Sequence, residues 1–283
     1  MNLSRGNLRA ATGLAALAGL LMLAEPVRAA RATPPPRMVR IPAGSYLPLY
    51  SPPPADAGTN SLPARRKPVV AFLMDVRPVT NAEFLAFVRE HPEWRRSRVR
   101  PLFADAGYLR HWSDDLVPGD LALANSPVVN VSWFAARAFL NAHGKQLPSV
   151  DQWEYVAAAS ESRRDASRDS TFLDRLRRWY ASPSPSRLPA VGTTFRNFYG
   201  LEDMHGLIWE WTLDFNSALV TGESRGDNSL ERSLYCGAGA AGATDFKNYA
   251  AFMRFAFRSS LQARYGVANL GFRGVQAAKV ETP

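Results

Sequence analysis

The chain has 283 residues, of which 46% are hydrophobic and 21% charged, and a formal net charge of +9. That composition is ordinary for a globular protein, and the length buries a sizeable core as one large domain or two small ones. The 21 prolines and 19 glycines are scattered and long periodic helices are few, which argues against a helical bundle and for a loop-rich fold.

Residues 1–30 read as a secretory signal peptide. Arg5 and Arg9 form a positive start, Ala10–Ala24 is apolar, and small residues near Val27–Ala32 offer a cleavage site. The apolar run is shorter than the ~20 residues a spanning helix needs, and no second such run follows. The expected mature protein is therefore periplasmic or secreted, with no transmembrane domain. Loss of Arg5, Arg9, Arg28 and Glu25 leaves a formal charge of about +7. Cys236 is the only cysteine, so no intramolecular disulfide forms, and its thiol is buried and inert, reactive, or a metal ligand.

Residues 31–37 form a Pro-rich linker to a single domain over 38–278, with a tail at 279–283. Met38–Leu49 reads as a strand with a Pro-Ala-Gly turn, and Val69–Met74 as a buried strand. Thr80 with Glu83 makes a capping box for a helix over Asn81–Glu90. Ser132 caps Trp133–His143, closed by Gly144. Ser149 with Gln152 caps a third helix, from Val150 to about Ser160. Arginines crowd 95–100 (RRSRVR) and 163–178, where acids alternate with them, as on a solvated helix face. Neither run interleaves aromatics in a recognised binding motif and export argues against nucleic acid, so no nucleic-acid partner is expected. No internal repeat or splitting point stands out.

Five blocks carry a family resemblance: MVRIPAGSYL (38–47), DVRPVTNAEFLAFV (75–88), SPVVNVSWFAARAFLNAHGKQLPSVDQWEYVAAA (126–159), NFYGLEDMHGLIWEWTLDF (197–215) and NLGFRGV (269–275). In that order they resemble the formylglycine-generating enzyme, or sulfatase-modifying factor, family. The resemblance implies an α+β, loop-rich fold like that of a C-type lectin domain. It also implies that aromatics such as Trp209 and Trp211 supply the buried area that long helices supply elsewhere.

The sequence departs from the family where its chemistry lies. Oxidase members use two cysteines spaced Cys-x-x-x-x-Cys to bind copper(I), a metal suited to soft thiolates. Gly242 and Lys247 fall at those positions, which excludes the two-cysteine mechanism in this polypeptide. Copper then has access only through Cys236. A family calcium site uses an asparagine and the glutamate between the tryptophans. Glu210 is retained, but Leu207 stands at the asparagine position and brings no oxygen. His91, His111, His143 and His205 have no shared metal spacing, and His205 reads as a turn residue.

The resemblance places a pocket around the glycine-rich run after Cys236. Its floor is Gly237 and Gly239, its walls Trp209 and Tyr249, and its donors Asn248, Arg254 and Arg258. Cys236 and Tyr249 are the candidates for reactivity. The competing reading makes Arg258 and Arg273 buried partners of acids such as Asp214 and Glu210, and for Arg273 that reading is preferred.

Two functions follow. The first is an exported maturation or accessory factor, with or without oxidoreductase activity on an exported protein or peptide. It would resemble family relatives associated with copper nitrite reductase or with pyoverdine maturation. The second is a non-catalytic, lectin-like binding module for an exported partner.

Overall fold

The computed structural model describes residues 37–49, 66–216 and 249–278. The expected signal segment, Cys236, Gly237, Gly239, Gly242, Lys247 and Asn248 lie outside the described residues.

Strands β1 (Met38–Ile41), β4 (Phe72–Asp75) and β7 (Val275–Ala277) form an antiparallel sheet in the order β1-β4-β7. Strands β2 (Gly44–Tyr46) and β3 (Lys67–Val69) pair separately, and β5 (Trp209–Glu210) lies parallel to β6 (Leu270–Gly271). The helices are α1 (Asn81–Glu90), α2 (Trp133–Ala142), α3 (Val150–Ala157), α4 (Ser170–Ala181) and α5 (Tyr249–Ser259). This is an α+β fold in which 95–132 and 182–208 run as long ordered connections without helix or strand.

The capping signals act as the sequence implies. Thr80 accepts from the Glu83 amide while Glu83 accepts from the Thr80 amide, and Ser149 and Gln152 do the same on α3. Gly144 takes a φ of +65° at the end of α2, a conformation that costs glycine little. The expected strand Val69–Met74 is divided instead. The backbone leaves β3 at Val69, exposes Val70 at 77%, and enters the other sheet at Phe72. The third helix stops at Ala157, and the helix expected within 163–178 starts only at Ser170, capped by Asp169.

Aromatic packing replaces regular ladders in the core. Phe84 of α1 stacks on Phe139 of α2 at 5.8 Å and meets Phe272 and Trp112 edge-on at 6.2 and 6.4 Å. Trp211 is fully buried and donates its indole N–H to the Val131 carbonyl at 2.9 Å. Polar side chains serve the loop backbone: Asn81 donates to the Leu123 and Ser126 carbonyls and accepts from the Trp112 indole.

One buried ion pair joins the segments. Arg273, 0% exposed, donates Nε and Nη2 to Glu210 at 2.7–3.0 Å. Its guanidinium also donates to the carbonyls of Asp75, Val76 and Glu202. Removing one partner of such a pair leaves an uncompensated buried charge, which costs about 3–5 kcal/mol. Arg273→Met is therefore expected to lower unfolding stability by about that amount, read by urea denaturation. The double variant Arg273→Met/Glu210→Leu should recover part of the loss, because it buries no lone charge.

Candidate functional site

The site grows from α3. The Ser149 cap fixes the helix start, and the half-buried Asp214 strengthens it by accepting from the Val150 amide at 2.7 Å, where a carboxylate also meets the helix dipole. The helix then turns Trp153 and Glu154 inward, and both are buried. Arg254 and Arg258 lie one turn apart on α5 and reach the same carboxylate. Arg254 donates Nε at 2.9 and 3.1 Å and Nη2 at 2.6 Å, and Arg258 donates Nη1 at 2.6 Å. Arg254 also donates Nη1 to the Tyr180 hydroxyl of α4 at 3.3 Å. Both guanidiniums lie over the Trp153 ring, at 5.5 and 4.9 Å.

Trp209 closes the arrangement. It stacks on Phe257 at 4.3 Å and packs against Tyr180 and Trp179 at 5.0 and 5.8 Å. Between these rings and the two arginines is a cavity of about 10 Å³, room for about one water. A second cavity of about 30 Å³ lies along Glu154 and Arg254, against Tyr46, Phe172 and Leu176.

Burial alone would push the Glu154 carboxyl up, but the charges and hydrogen bonds of Arg254 and Arg258 together outweigh it and bring it down to about 2. Burial raises the Tyr180 hydroxyl, which stays protonated. His205, 1% exposed, is pushed down to about 3 by burial and then by Arg254. Its Nε2 sits 2.9 Å from the Ala157 carbonyl, so Nε2 carries the proton, and Nδ1 has no partner among the described residues. This ring is a neutral core residue packed against Trp153, Phe172 and Phe195.

The structure brings Trp209, Arg254 and Arg258 together around the smaller cavity. It separates Tyr249 from them. Tyr249 is the first residue of α5, 49% exposed, and touches Phe252. Eight residues separate it from Phe257, about 12 Å along a helix, so it does not wall this cavity. Arg258 pairs with Glu154 rather than Asp214, and Arg273 pairs with Glu210. Glu154, Trp153, Trp179 and Tyr180 belong to the site and were not singled out from the sequence. The available signal was an acid on the apolar face of α3 together with two arginines spaced i, i+4.

Residues 24–278 match the family described as the sulfatase-modifying factor enzyme 1-like domain. The chain belongs to this family. It is 28% identical over 286 residues to the bovine formylglycine-generating enzyme, covering 86% of this chain and 75% of that protein. It is also 28% identical over 212 residues to the mouse inactive C-alpha-formylglycine-generating enzyme 2, covering 62% and 68% respectively. Among solved structures, PvdO from Pseudomonas aeruginosa superposes with a TM-score of 0.46 at 18% identity, covering 86% of this chain and 95% of that one.

The residues present do not fit the metals of the sulfatase-modifying factor family. Copper(I) needs soft donors, and this polypeptide has one thiol, Cys236, which lies outside the described residues. Glu210 is corrected as a calcium ligand: its two oxygens accept from Arg273 and from the Trp153 indole at 2.8 Å. Leu207, at the asparagine position, packs in an apolar cluster with Val129, Leu188 and Ile208. Among the described residues, no three His, Cys, Asp or Glu side chains gather to hold a metal.

Glu154→Gln should cost about 3–5 kcal/mol in denaturant unfolding, because two guanidiniums are then left buried without a carboxylate. The histidines set a second expectation. His205 and His111 lie at about 3 and about 4 in the folded protein, below their ordinary 6.5, so the unfolded state takes up these protons first. Their contribution is full above about pH 6.5 and falls on acidification by about 1.4 kcal/mol per pH unit for each ring. Glu154 is also depressed, so its contribution is lost as pH falls below about 4.5. His205→Gln should roughly halve the slope of stability against pH between about pH 4.5 and 6.5.

Proposed function

We propose that this family member is an exported maturation or accessory factor that binds an exported protein or peptide on the surface around the half-buried Trp209, without the two-cysteine copper chemistry. The observation that carries this reading is the half-buried Trp209, packed among aromatic rings from α4 and α5 beside two arginines anchored on one carboxylate. Rigid aromatics beside guanidiniums are the side chains that dominate recognition sites. Glu154 is held ionised and His205 neutral and sealed, so neither is poised to exchange protons with a substrate at neutral pH. Gly242 and Lys247, which by the resemblance fall at the thiolate positions, support the same reading. The signal-like residues 1–30 support export.

A second reading, an oxidoreductase using Cys236, is favoured by the lone thiol directly before the glycine-rich run. One experiment separates the two. A strain lacking the protein is complemented with wild type, Cys236→Ser or Trp209→Leu, and the periplasmic proteins are compared by intact-mass and quantitative proteomics. The binding reading expects Cys236→Ser to restore the wild-type pattern and Trp209→Leu to fail while melting within a few degrees of wild type. Failure of Cys236→Ser, with loss of oxygen consumption by the purified protein, would replace it with the oxidoreductase reading. Full restoration by Trp209→Leu would remove this surface from the function.

A further inference from the structure

The segment WRRSRVRPLFA (94–104) holds four arginines and no acid. Two of the four serve the fold. Arg95 donates Nε to the Val88 carbonyl and Nη2 to the Arg89 carbonyl, and Arg96 donates Nη1 to the Trp112 carbonyl. Arg98 and Arg100 are exposed. The chain then turns at Pro101 and leaves Leu102 67% exposed.

Aromatic rings continue from this turn to α2. The Arg100 guanidinium lies 5.6 Å over the Phe103 ring. Phe103 meets Phe134 at 5.3 Å, Phe134 meets Trp133 at 5.5 Å, and the Arg137 guanidinium lies 5.1 Å over Trp133. These three rings are half-buried and Arg137 is exposed. The loop after α5 runs alongside: the Ala263 carbonyl accepts from the Trp133 amide and the Arg264 carbonyl from the Asp105 amide. Arg264 is exposed as well. One face therefore sets Arg98, Arg100, Arg137 and Arg264 among three aromatic rings and a projecting leucine.

Its charge is written into the segments that form it. Arg137 is the only charged residue of α2, and 249–278 contains no Asp or Glu. The acids beside the arginine run are already engaged. Glu93 Oε1 lies 3.6 Å from His91 Nδ1, Asp105 Oδ1 accepts from the Gly107 and Gly266 amides, and Asp115 accepts from the Ser97 amide and hydroxyl. Guanidiniums match phosphate oxygens, and tryptophan and phenylalanine beside cations suit the boundary between headgroups and acyl chains. A soluble polyanion would meet the arginines but leave Leu102 in water. A phospholipid layer offers phosphate and, just beneath it, hydrocarbon.

We infer that this face docks on an anionic phospholipid surface, with Arg98, Arg100, Arg137 and Arg264 at the headgroup phosphates and Leu102 in the outer acyl region. Docking of this kind uses neither Trp209 nor Cys236.

The test is flotation of the full mature protein with phosphatidylcholine vesicles that contain about one-third phosphatidylglycerol, against vesicles of phosphatidylcholine alone. Partitioning is expected to be at least about tenfold stronger on the anionic vesicles and to weaken as salt is raised. Arg98→Gln/Arg100→Gln should reduce it by at least about tenfold, because each arginine near such a surface contributes roughly fivefold. Arg177→Gln/Arg178→Gln, exposed on α4, removes the same charge elsewhere and should stay within about twofold of wild type. Leu102→Ser should weaken partitioning by at least about threefold with no change of charge. All five side chains are exposed, so each variant is expected to fold, which thermal melting checks. Equal partitioning on the two kinds of vesicle, or equal loss from the two arginine pairs, would overturn the inference. A Leu102→Ser variant that floats like wild type would also overturn it and would point to a soluble acidic partner.

Discussion

The buried pair between Arg273 and Glu210 organises this molecule. A fold with two- to four-residue strands has few ladders to satisfy its backbone, and every buried carbonyl still needs a donor. Arg273 supplies donors to carbonyls at Asp75, Val76 and Glu202 and holds Glu210 in one orientation. Neighbouring Gly274 continues the junction, donating its amide to Asp75, whose other oxygen meets Lys145. A single residue late in the sequence therefore fixes the end of the central strand β4, the loop before β5 and the carboxylate of Glu210.

From Glu210 the constraint passes to α3. The Trp153 indole donates to the same carboxylate, which sets the rotation of the helix and hence the direction of Glu154. Glu154 then collects Arg254 and Arg258 and docks α5. The Trp153 ring lies beneath both guanidiniums, and a cation over an indole face gains further attraction when water is excluded. The site is thus built outward from polar anchors, with Trp209, Phe257 and Tyr180 packed over them. The asymmetry between a balanced pair and a carboxylate shared by two arginines arises within one turn of α3.

Much of the architecture was legible in the order of the residues. Thr80, Ser132 and Ser149 announced three helix starts because capping is local: a side-chain oxygen three residues from a free amide needs no tertiary partner. Gly144 likewise marked the end of α2. The boundary after Val69 was not legible, because an apolar run reads alike whether it stays in one sheet or crosses to another. Helix α5 was hidden for a different reason. Its inward positions are Ala250, Ala251, Arg254 and Arg258, so its buried face carries charge, and the usual apolar stripe is absent.

By itself, the sequence determined the family and the α+β loop-rich fold. Each of these is written in residue identity and order, which folding does not alter. Only the tertiary structure decided the partners. Glu210 faces Arg273, Glu154 and not Asp214 receives Arg258, and Tyr249 stands apart from Trp209. The physical reason is that a buried charge is compensated by whichever opposite charge packing brings within hydrogen-bonding distance. Here those partners lie 63 to 104 residues apart in sequence, beyond the reach of any local pattern.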